Sequence, residues 1–437
     1  MLRKLGRKLV PVLSLLGIGA LGYVLGAAVM FYRLPSSRFL TDAFLEADRW
    51  RQTSGSEADS PMVPAPFAAR FYLGLDKKEK TCDGFTLVAV SPGNQVYLID
   101  MEGNIVHHWT LFFNRIWPHP QQLDRLIPDE YTCPFGLHLF PNGDLLATFH
   151  GYGGVAEGIG LAKVDKDSRV LWTYDQNVHH DVDVDDDGHI FLTTQKVVQE
   201  PIPGLEFIHT PTLVDFVEML SADGQPLRKI SLLQAFQDSN EYFPILKNAP
   251  IPRELRNDSR THGDLFHTNH VEILRPSLAP KFGLPRWKAG QALISMRNLN
   301  AIALLDMESG KLIWATTGPW KMQHDSQFLP SGHVLLFDNR GSDRSSRVLE
   351  MDPKDDKICW SYPDEKGEPF HCPERGMVQR LSNGNTFIVD SVEKSLMEVT
   401  ADHELIWAFH TGNYVQFAQR YAANELRFIA KSPRPQP

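Results

Sequence analysis

Three histidines carry the first chemical signal in this chain. His180, followed by Asp181, opens HDVDVDDDGHIFLTTQ, and His324, followed by Asp325, opens HDSQFLPSGHVLLFDN. His267 opens HTNHVEILRP, which leads after an insertion into ALISMR. These are matching points of an internal repeat. A single histidine is most often a hydrogen-bonded structural residue, whereas three at one repeat position converge on one axis if the repeats close into a ring. Arg297 follows the second strand of the His267 repeat, in Ser295-Met296-Arg297-Asn298. Asn269 lies two residues past His267, on the same side of a strand. His138 falls slightly later in its own repeat and weighs less, while His209 and His270 lie outside the register and read as structural.

Two chemistries fit three histidines and an arginine. Neutral imidazoles are good metal ligands, but a guanidinium beside a dication is unfavourable unless the substrate is anionic. The alternative is binding and transfer of an oxyanion. Arginine offers a planar fork of donors to sulfate or phosphate oxygens. One neutral histidine can then attack while the others donate hydrogen bonds or move protons. Asp183, Asp185, Asp187 and Gly188 spell the start of a calcium loop, but Thr194 stands where the bidentate glutamate belongs, and the stretch aligns with the plain turns FPNGD, LPSGH and LSNGN. No phosphate-binding glycine loop and no nucleophile-elbow serine is present.

The elements that position these residues are short strands. One phrase, an apolar strand, an Asp-containing turn and a strand ending near Trp, recurs as QVYLIDMEGNIVHHW, LAKVDKDSRVLWTY, VEMLSADGQPLRKI (without the Trp), IALLDMESGKLIWA, VLEMDPKDDKICWS and LMEVTADHELIWAF. A second phrase precedes these, two apolar strands around a Gly turn: GLHLFPNGDLLATF, HDVDVDDDGHIFLT, HTNHVEILRP with ALISMR, HDSQFLPSGHVLLF, GMVQRLSNGNTFIV and a weaker copy, FAQRYAANELRFIA. Long helical periodicity is scarce. Paired phrases predict an all-β, six-bladed β-propeller. The first outer phrase, near residue 95, lacks a complete partner before it, and the last inner phrase, near residue 419, lacks one after it. They are expected to share one blade, so that the chain ends close the ring. Two segments break the period, Leu111 to Tyr131 with Phe112, Phe113 and Trp117, and Leu232 to Gly263 with Tyr242 and Phe243, and both are candidate walls of the site.

The chain has 437 residues, 42% apolar and 22% charged, with net charge −9. The absence of a basic stripe argues against nucleic acid as a partner. The N-terminus differs in kind. Leu9 to Tyr32 contains no charged residue and is long enough to span a bilayer, and Arg3, Lys4, Arg7 and Lys8 precede it. The expected arrangement is a cytoplasmic tail at 1–8, an uncleaved transmembrane helix at 9–32, a juxtamembrane stalk and linker at 33–80, an exported propeller at 81–431 and a tail at 432–437. A cleaved signal peptide is the rival reading. Gly22 and Gly26 can pair two such helices, and the oligomeric state stays open. Four cysteines suit an exported domain: Cys359 with Cys372, across one short connection, and Cys82 with Cys133 are the favoured pairs, against four reduced thiols.

The phrases NVHHDVDVDDDGHIF, DLFHTNHVEIL, LISMRNLNAIALLD with SGKLIW, and QHDSQFLPSGHVLLFDN resemble, in order, the exported bacterial arylsulfate sulfotransferases that use no adenylyl-sulfate cofactor. The resemblance covers roughly Cys133 to Thr411. It implies a six-bladed propeller that carries a sulfuryl group from an aryl sulfate to a phenol by a ping-pong route, with no metal or organic cofactor. It implies His324 as the histidine that becomes sulfated. His180, His267 and Arg297 then surround the sulfuryl oxygens, with Asn269 beside them. His180 rather than His179 is chosen because His180-Asp181 aligns with His324-Asp325. Well-known members of that family are soluble periplasmic proteins with an additional N-terminal β domain, where this chain has its apolar segment and linker. Two other classes remain: a non-catalytic propeller that binds a sulfated or other anionic ligand, and a metal-dependent hydrolase with His180, His267 and His324 as ligands.

Overall fold

A strand sandwiched between two sheets must be apolar on both faces, and a strand at the rim of a sheet need not be. The repeat phrases follow this rule. Val334–Asp338 and Thr386–Asp390 are buried at every position. The strands that end each outer phrase, such as Lys357–Tyr362 and Val170–Tyr174, are partly or fully exposed. The computed structural model describes residues 71–429 apart from 74–77, 92, 121–126, 130–131, 152–157, 250–262, 342–344, 365–366 and 368. The expected tails, apolar span and glycine pair lie outside these residues, as does most of the 33–80 stalk and linker. Its residues 71–73 are described and form a strand of the propeller, which therefore starts ahead of the expected residue 81. Among the described residues no helix is long and apolar enough to cross a membrane.

Six antiparallel sheets form the blades, as the repeat count predicts. Blade 1 runs from the axis outward as Tyr414–Tyr421, Phe85–Ser91, Gln95–Ile99 and Ile105–Thr110. Blade 2 is Thr132–Leu139, Leu145–Gly151, Gly158–Val164 and Val170–Tyr174. Blade 3 is Val178–Val184, Ile190–Val198, Thr212–Leu220 and Pro226–Ser231. Blade 4 is Thr268–Ile273, Gln291–Met296, Ala301–Asp306 and Leu312–Thr317. Blade 5 is His324–Phe328, Val334–Asp338, Arg347–Asp352 and Lys357–Tyr362. Blade 6 is Met377–Arg380, Thr386–Asp390, Ser395–Val399 and Leu405–His410, with Phe71–Leu73 added antiparallel outside. Each innermost strand contacts that of the next blade, and blade 6 returns to blade 1.

The ring closes where expected, with the innermost strand of blade 1 supplied from the C-terminal side and its outer strands from the N-terminal side. The details differ from the repeat reading. The second half of FAQRYAANELRFIA forms no strand, because Phe85–Ser91 already fills the second place in that sheet. The chain instead runs along the seam with blade 2, where Arg427 N–H donates to Pro141 O of blade 2 and Phe428 packs on Trp109 and His107 of blade 1.

The repeated tryptophan has a structural use. The Trp109, Trp360 and Trp407 indole N–H groups donate to Gly143 O, Ala401 O and Met101 O, in each case a turn carbonyl of the next blade. Arginine and glutamate repeat likewise. Arg380 of blade 6 meets Glu350 of blade 5 at 2.8 Å, and Arg420 of blade 1 meets Glu398 of blade 6 at 3.3 Å. The seam is therefore stapled like any other interface, which suits a ring rather than an open solenoid.

Among their described residues, the two period-breaking segments send large apolar side chains into the core. Phe113 and Trp117 are buried against Phe149 of blade 2. Leu232–Gln237 begins a helical excursion that buries Leu232, Ala235 and Phe236 and returns as Gly263–Asp264, parallel to Thr212–Leu213 of blade 3. That return matters for the site. The favoured disulfides are absent, and all four cysteines are free. Cys359 is exposed on the rim strand of blade 5, with its thiol on Lys357 O, whereas Cys372 is buried with its thiol on Glu374 O.

Candidate active site

Counting back four residues from the last paired residue of each inner hairpin gives equivalent positions at the axis. These are Phe135 in blade 2, His180 in blade 3, Asn269 in blade 4, His324 in blade 5 and Gly376 in blade 6. Gln416 of blade 1 corresponds to Gly376 through the matched Gln-Arg pairs 379–380 and 419–420. These six residues and their immediate successors line one cavity, together with Arg375. His180 and His324 stand in register, as read from sequence. His267 does not: Asn269 holds the register place, and His267 reaches the axis from two residues earlier, just ahead of its strand.

The ladder is interrupted at this level in five inner strands, between Pro134 and Leu137, at His180-Asp181, at Asn269, after His324 and at Gln416. Such bulges re-aim side chains that a regular strand would alternate. His180, His267, Asp325 and Arg375 also adopt left-handed φ values of 58°, 50°, 48° and 60°. Conformations this uncommon for residues with side chains concentrate where surrounding structure imposes them. Gly136 follows for a packing reason, since a Cβ there would lie 2.2 Å from His180 O.

His324 is buried, and its Nδ1 lies 2.7 Å from Asn339 Oδ1 and 3.0 Å from Met322 O. The Asn339 Nδ2 group donates to Cys372 O and Arg375 O, so Oδ1 is free to accept. Two acceptors at Nδ1 require a proton there, which leaves the lone pair on Nε2. Burial first, and then the charge of Arg297, hold the imidazole well below its ordinary value of 6.5, with His267 and Arg375 contributing. It is neutral at pH 7, and neutral imidazole is the nucleophilic form.

His180 and His267 stand edge to face, with ring centroids 4.7 Å apart. The His180 Nδ1 atom is 2.7 Å from His179 Nδ1, and the Phe135 ring closes its other side at 5.0 Å. Burial, followed by His267, His179 and His324, keeps His180 well below 6.5. His267 Nδ1 donates to Asp264 Oδ2 at 2.7 Å, and His267 N–H donates to Asp264 Oδ1 at 3.0 Å. Behind this pair lies Asp215, which accepts Thr268 N–H at 2.7 Å and is raised to about 7 by burial and by Asp264. Asn269 Nδ2 donates to Gln323 O, and its Oδ1 is buried with no partner among the described residues. Arg297 begins the turn after Gln291–Met296, where its N–H donates to His267 O at 3.2 Å. The structure thus gathers His180, His267, Asn269, Arg297 and His324 around one mouth.

Beneath them, His270 bridges Asp181 at 2.7 Å and Asp325 at 3.3 Å. Burial opposes its charge, but Asp181 and Asp325 raise it to about 9, so it is an imidazolium. It lies one place past the register position of Asn269 and has a structural role as read from sequence, but it also lines the cavity floor. His209 is exposed and away from the site, and His138, further along blade 2, is lowered to about 4 by burial. The aspartates also tie the blades, as Val271 N–H donates to Asp181 Oδ2 and Val378 N–H to Asp325 Oδ2.

Sequence reading missed Arg375, Asn339, Asp264 and Gln416. Arg375 immediately precedes the axial position of blade 6, and its guanidinium lies 3.9 Å from the Phe135 ring centroid. Gln416 is buried, with no partner on either amide atom among the described residues. Among the described residues, metal-compatible spacing of His, Cys, Asp and Glu occurs only at Asp185, Asp187 and His189, on the turn of blade 3 away from these histidines.

Comparison with solved structures finds a protein of unknown function from Bacteroides caccae, 12% identical, TM-score 0.45, covering 75% of this chain and 93% of the other. A catalytically inactive virginiamycin B lyase from Staphylococcus aureus with quinupristin is 10% identical, TM-score 0.38, covering 68% and 86%. At such scores neither likeness bears on the chemistry. Comparison with curated proteins finds no match. The arylsulfotransferase (ASST) family model, in contrast, matches residues 136–412, a span that holds His180, His267, Asn269, Arg297 and His324, and the chain belongs to that family.

Proposed function

We propose that the protein moves a sulfuryl group from an aryl sulfate to a phenol in two steps, through a sulfated His324. The observation that carries this reading is the state of His324: a buried neutral ring with Nδ1–H fixed on Asn339, its other nitrogen left for chemistry, and Arg297 beside it. In the first step the Nε2 lone pair forms the N–S bond while the S–O bond to the aryl group breaks, and the phenolate leaves with the bonding pair. In the second, the acceptor phenol gives up its proton, its oxygen bonds to sulfur, and the N–S pair returns to Nε2. The departing phenolate gains one proton and the acceptor loses one, so the sum is balanced.

Sulfuryl transfer, like phosphoryl transfer, has a loose transition state with charge on the equatorial oxygens. Fixed donors and positioning then supply most of the catalysis. Arg297, Asn269, His180 and His267 are the proposed ligands of those oxygens. His267, with Asp264 on its Nδ1 as in an Asp-His dyad, is the better base for the acceptor proton. The metal-hydrolase reading gains no support from a site where a guanidinium adjoins the histidines. The apolar segment Leu9 to Tyr32 supports a further part of the proposal, an anchor that holds the propeller on the periplasmic side with the N-terminus in the cytoplasm.

The test is transfer from 4-nitrophenyl sulfate to phenol. Wild type transfers, and His324→Ala does not. Full transfer by His324→Ala ends the proposal, and ligand binding without turnover over a broad acceptor panel favours a non-catalytic anion-binding propeller instead.

A further inference from the structure

We infer that Arg375 is a further catalytic residue of this site: its guanidinium holds the phenolic oxygen, both as it leaves the donor's sulfur and as it attacks from the acceptor. The inference rests on the sulfotransferase reading above and adds what that reading lacks, a group for the oxygen that gains the aryloxide charge.

The place of Arg375 is set by the residue after it. Gly376 stands at the axial position of blade 6 with φ 86°, and a Cβ there would come within 2.5 Å of the Phe337 ring. No side chain can fill that sector of the mouth, and Arg375 lines it instead. Its position is firmly held. The guanidinium carbon lies 3.9 Å from the Phe135 ring centroid and 5.5 Å from that of Tyr414. Its carbonyl accepts from Asn339 Nδ2, the amide whose Oδ1 fixes His324. One side chain therefore positions both the nucleophile and this arginine.

Among the described residues no carboxylate pairs with the Arg375 guanidinium, and its Nη1 is buried without a hydrogen-bond partner. A cation held over an aromatic face in a cavity, with a donor left over, is suited to an anionic group of a ligand. Arg375 lines the same cavity as His180 and His324, and its charge disfavours the imidazolium form of both. Its neighbours on the other side are of a different kind. The histidines and aspartates come from blades 3, 4 and 5, whereas blades 1, 2 and 6 contribute Phe417, Phe135 and Met377 to the cavity, with the Gln416 amide beside Phe417. An aryl ring belongs on that apolar side and the sulfuryl group on the histidine side. The bond between them, from sulfur to the phenolic oxygen, then falls at the seam that Arg375 occupies. When that bond breaks the electron pair goes to the oxygen, and the guanidinium N–H groups receive it. In the return step they stabilise the acceptor oxygen as its proton departs.

The experiment is single-turnover sulfation of His324 with two donors, 4-nitrophenyl sulfate and phenyl sulfate, in wild type, Arg375→Met and Arg375→Lys. The nitrophenolate spreads its own charge and needs little help, whereas phenolate needs the cation. Loss of one fixed donor to a developing oxyanion costs about 100-fold, so Arg375→Met is expected to lose about that with phenyl sulfate and less than about tenfold with 4-nitrophenyl sulfate, with Arg375→Lys between. Equal losses on both donors overturn the inference. Melting temperature reports folding, and where Arg375→Met is unfolded the Arg375→Lys ratio is read by the same rule. Failure of wild type to sulfate His324 with either donor is a separate result, which strikes the reading beneath this one.

Discussion

Asn339 Oδ1 lies 2.7 Å from His324 Nδ1 while Asn339 Nδ2 is spent on two backbone carbonyls, so one buried amide decides which nitrogen of His324 carries the proton. The residues are 15 apart in sequence, on the first strand of blade 5 and at the end of its second. Asn339→Ala removes that constraint. The expected outcome is a fall of about 100-fold or more in the rate of His324 sulfation, as when a catalytic histidine loses its tautomer control, with donor KM little changed. Asn339→Asp keeps an acceptor at Nδ1 and is expected to retain more of the rate. Rapid-quench kinetics with 4-nitrophenyl sulfate measure both.

The charge state of His324 makes a pH prediction. Its folded value lies well below 6.5, first through burial and then through Arg297. The nucleophile is the neutral ring, so its rate falls only as pH drops through that lowered value. Sulfation is therefore expected to be flat from about pH 7.5 down past the ordinary histidine value of 6.5. Arg297→Met removes a charge that disfavours the imidazolium, and its acid limb is expected at higher pH than that of wild type. An acid limb centred at 6.5 in wild type contradicts the burial argument.

Asp264 separates the two steps. It holds His267 by a 2.7 Å bond at Nδ1 but does not touch His324 among the described contacts. Asp264→Asn is expected to leave the first release of nitrophenol nearly intact and to slow the return of the sulfuryl group to phenol by about 10²-fold or more. A burst followed by slow turnover is the expected trace, and equal slowing of both phases contradicts the assignment of His267 as base.

The floor of the site makes a stability prediction. Burial disfavours the charge on His270, but Asp181 and Asp325 overcome it and raise the folded value to about 9 against an ordinary 6.5. A group with a raised folded value stabilises fully below its unfolded value and loses that contribution as pH rises through the folded one. Wild type is therefore expected to lose melting temperature between about pH 6.5 and about pH 9. His270→Gln, which does not titrate there, is expected to lie lower at pH 6.5 and to decline less steeply. Calorimetry across this range checks both slopes.

The ring was legible because its determinants are local: two apolar runs around a turn, repeated, with a tryptophan that caps the next blade. His180 and His324 were legible because they share a phrase with Asp181 and Asp325. The rest depends on contacts distant in sequence. Asp264 arrives at His267 through a return strand parallel to Thr212–Leu213, after a segment with no counterpart in other repeats. Asn339 and Arg375 follow no repeated pattern, and what selects them is their distance from His324 and Phe135. Phe85–Ser91 was overlooked because its partner strand begins at Tyr414. The glycine turn at the axis of blade 6 reads in sequence as an ordinary turn, and only the Phe337 ring behind it reveals why Arg375 is brought forward.

The most direct test of the central claim is a peptide mass spectrum of the protein quenched after mixing with 4-nitrophenyl sulfate and no acceptor. The account predicts the mass of one added sulfuryl group on the peptide that contains His324, its loss on adding phenol, and its absence in His324→Ala. An unmodified His324 during active transfer, or the same added mass on His180 or His267 instead, contradicts it.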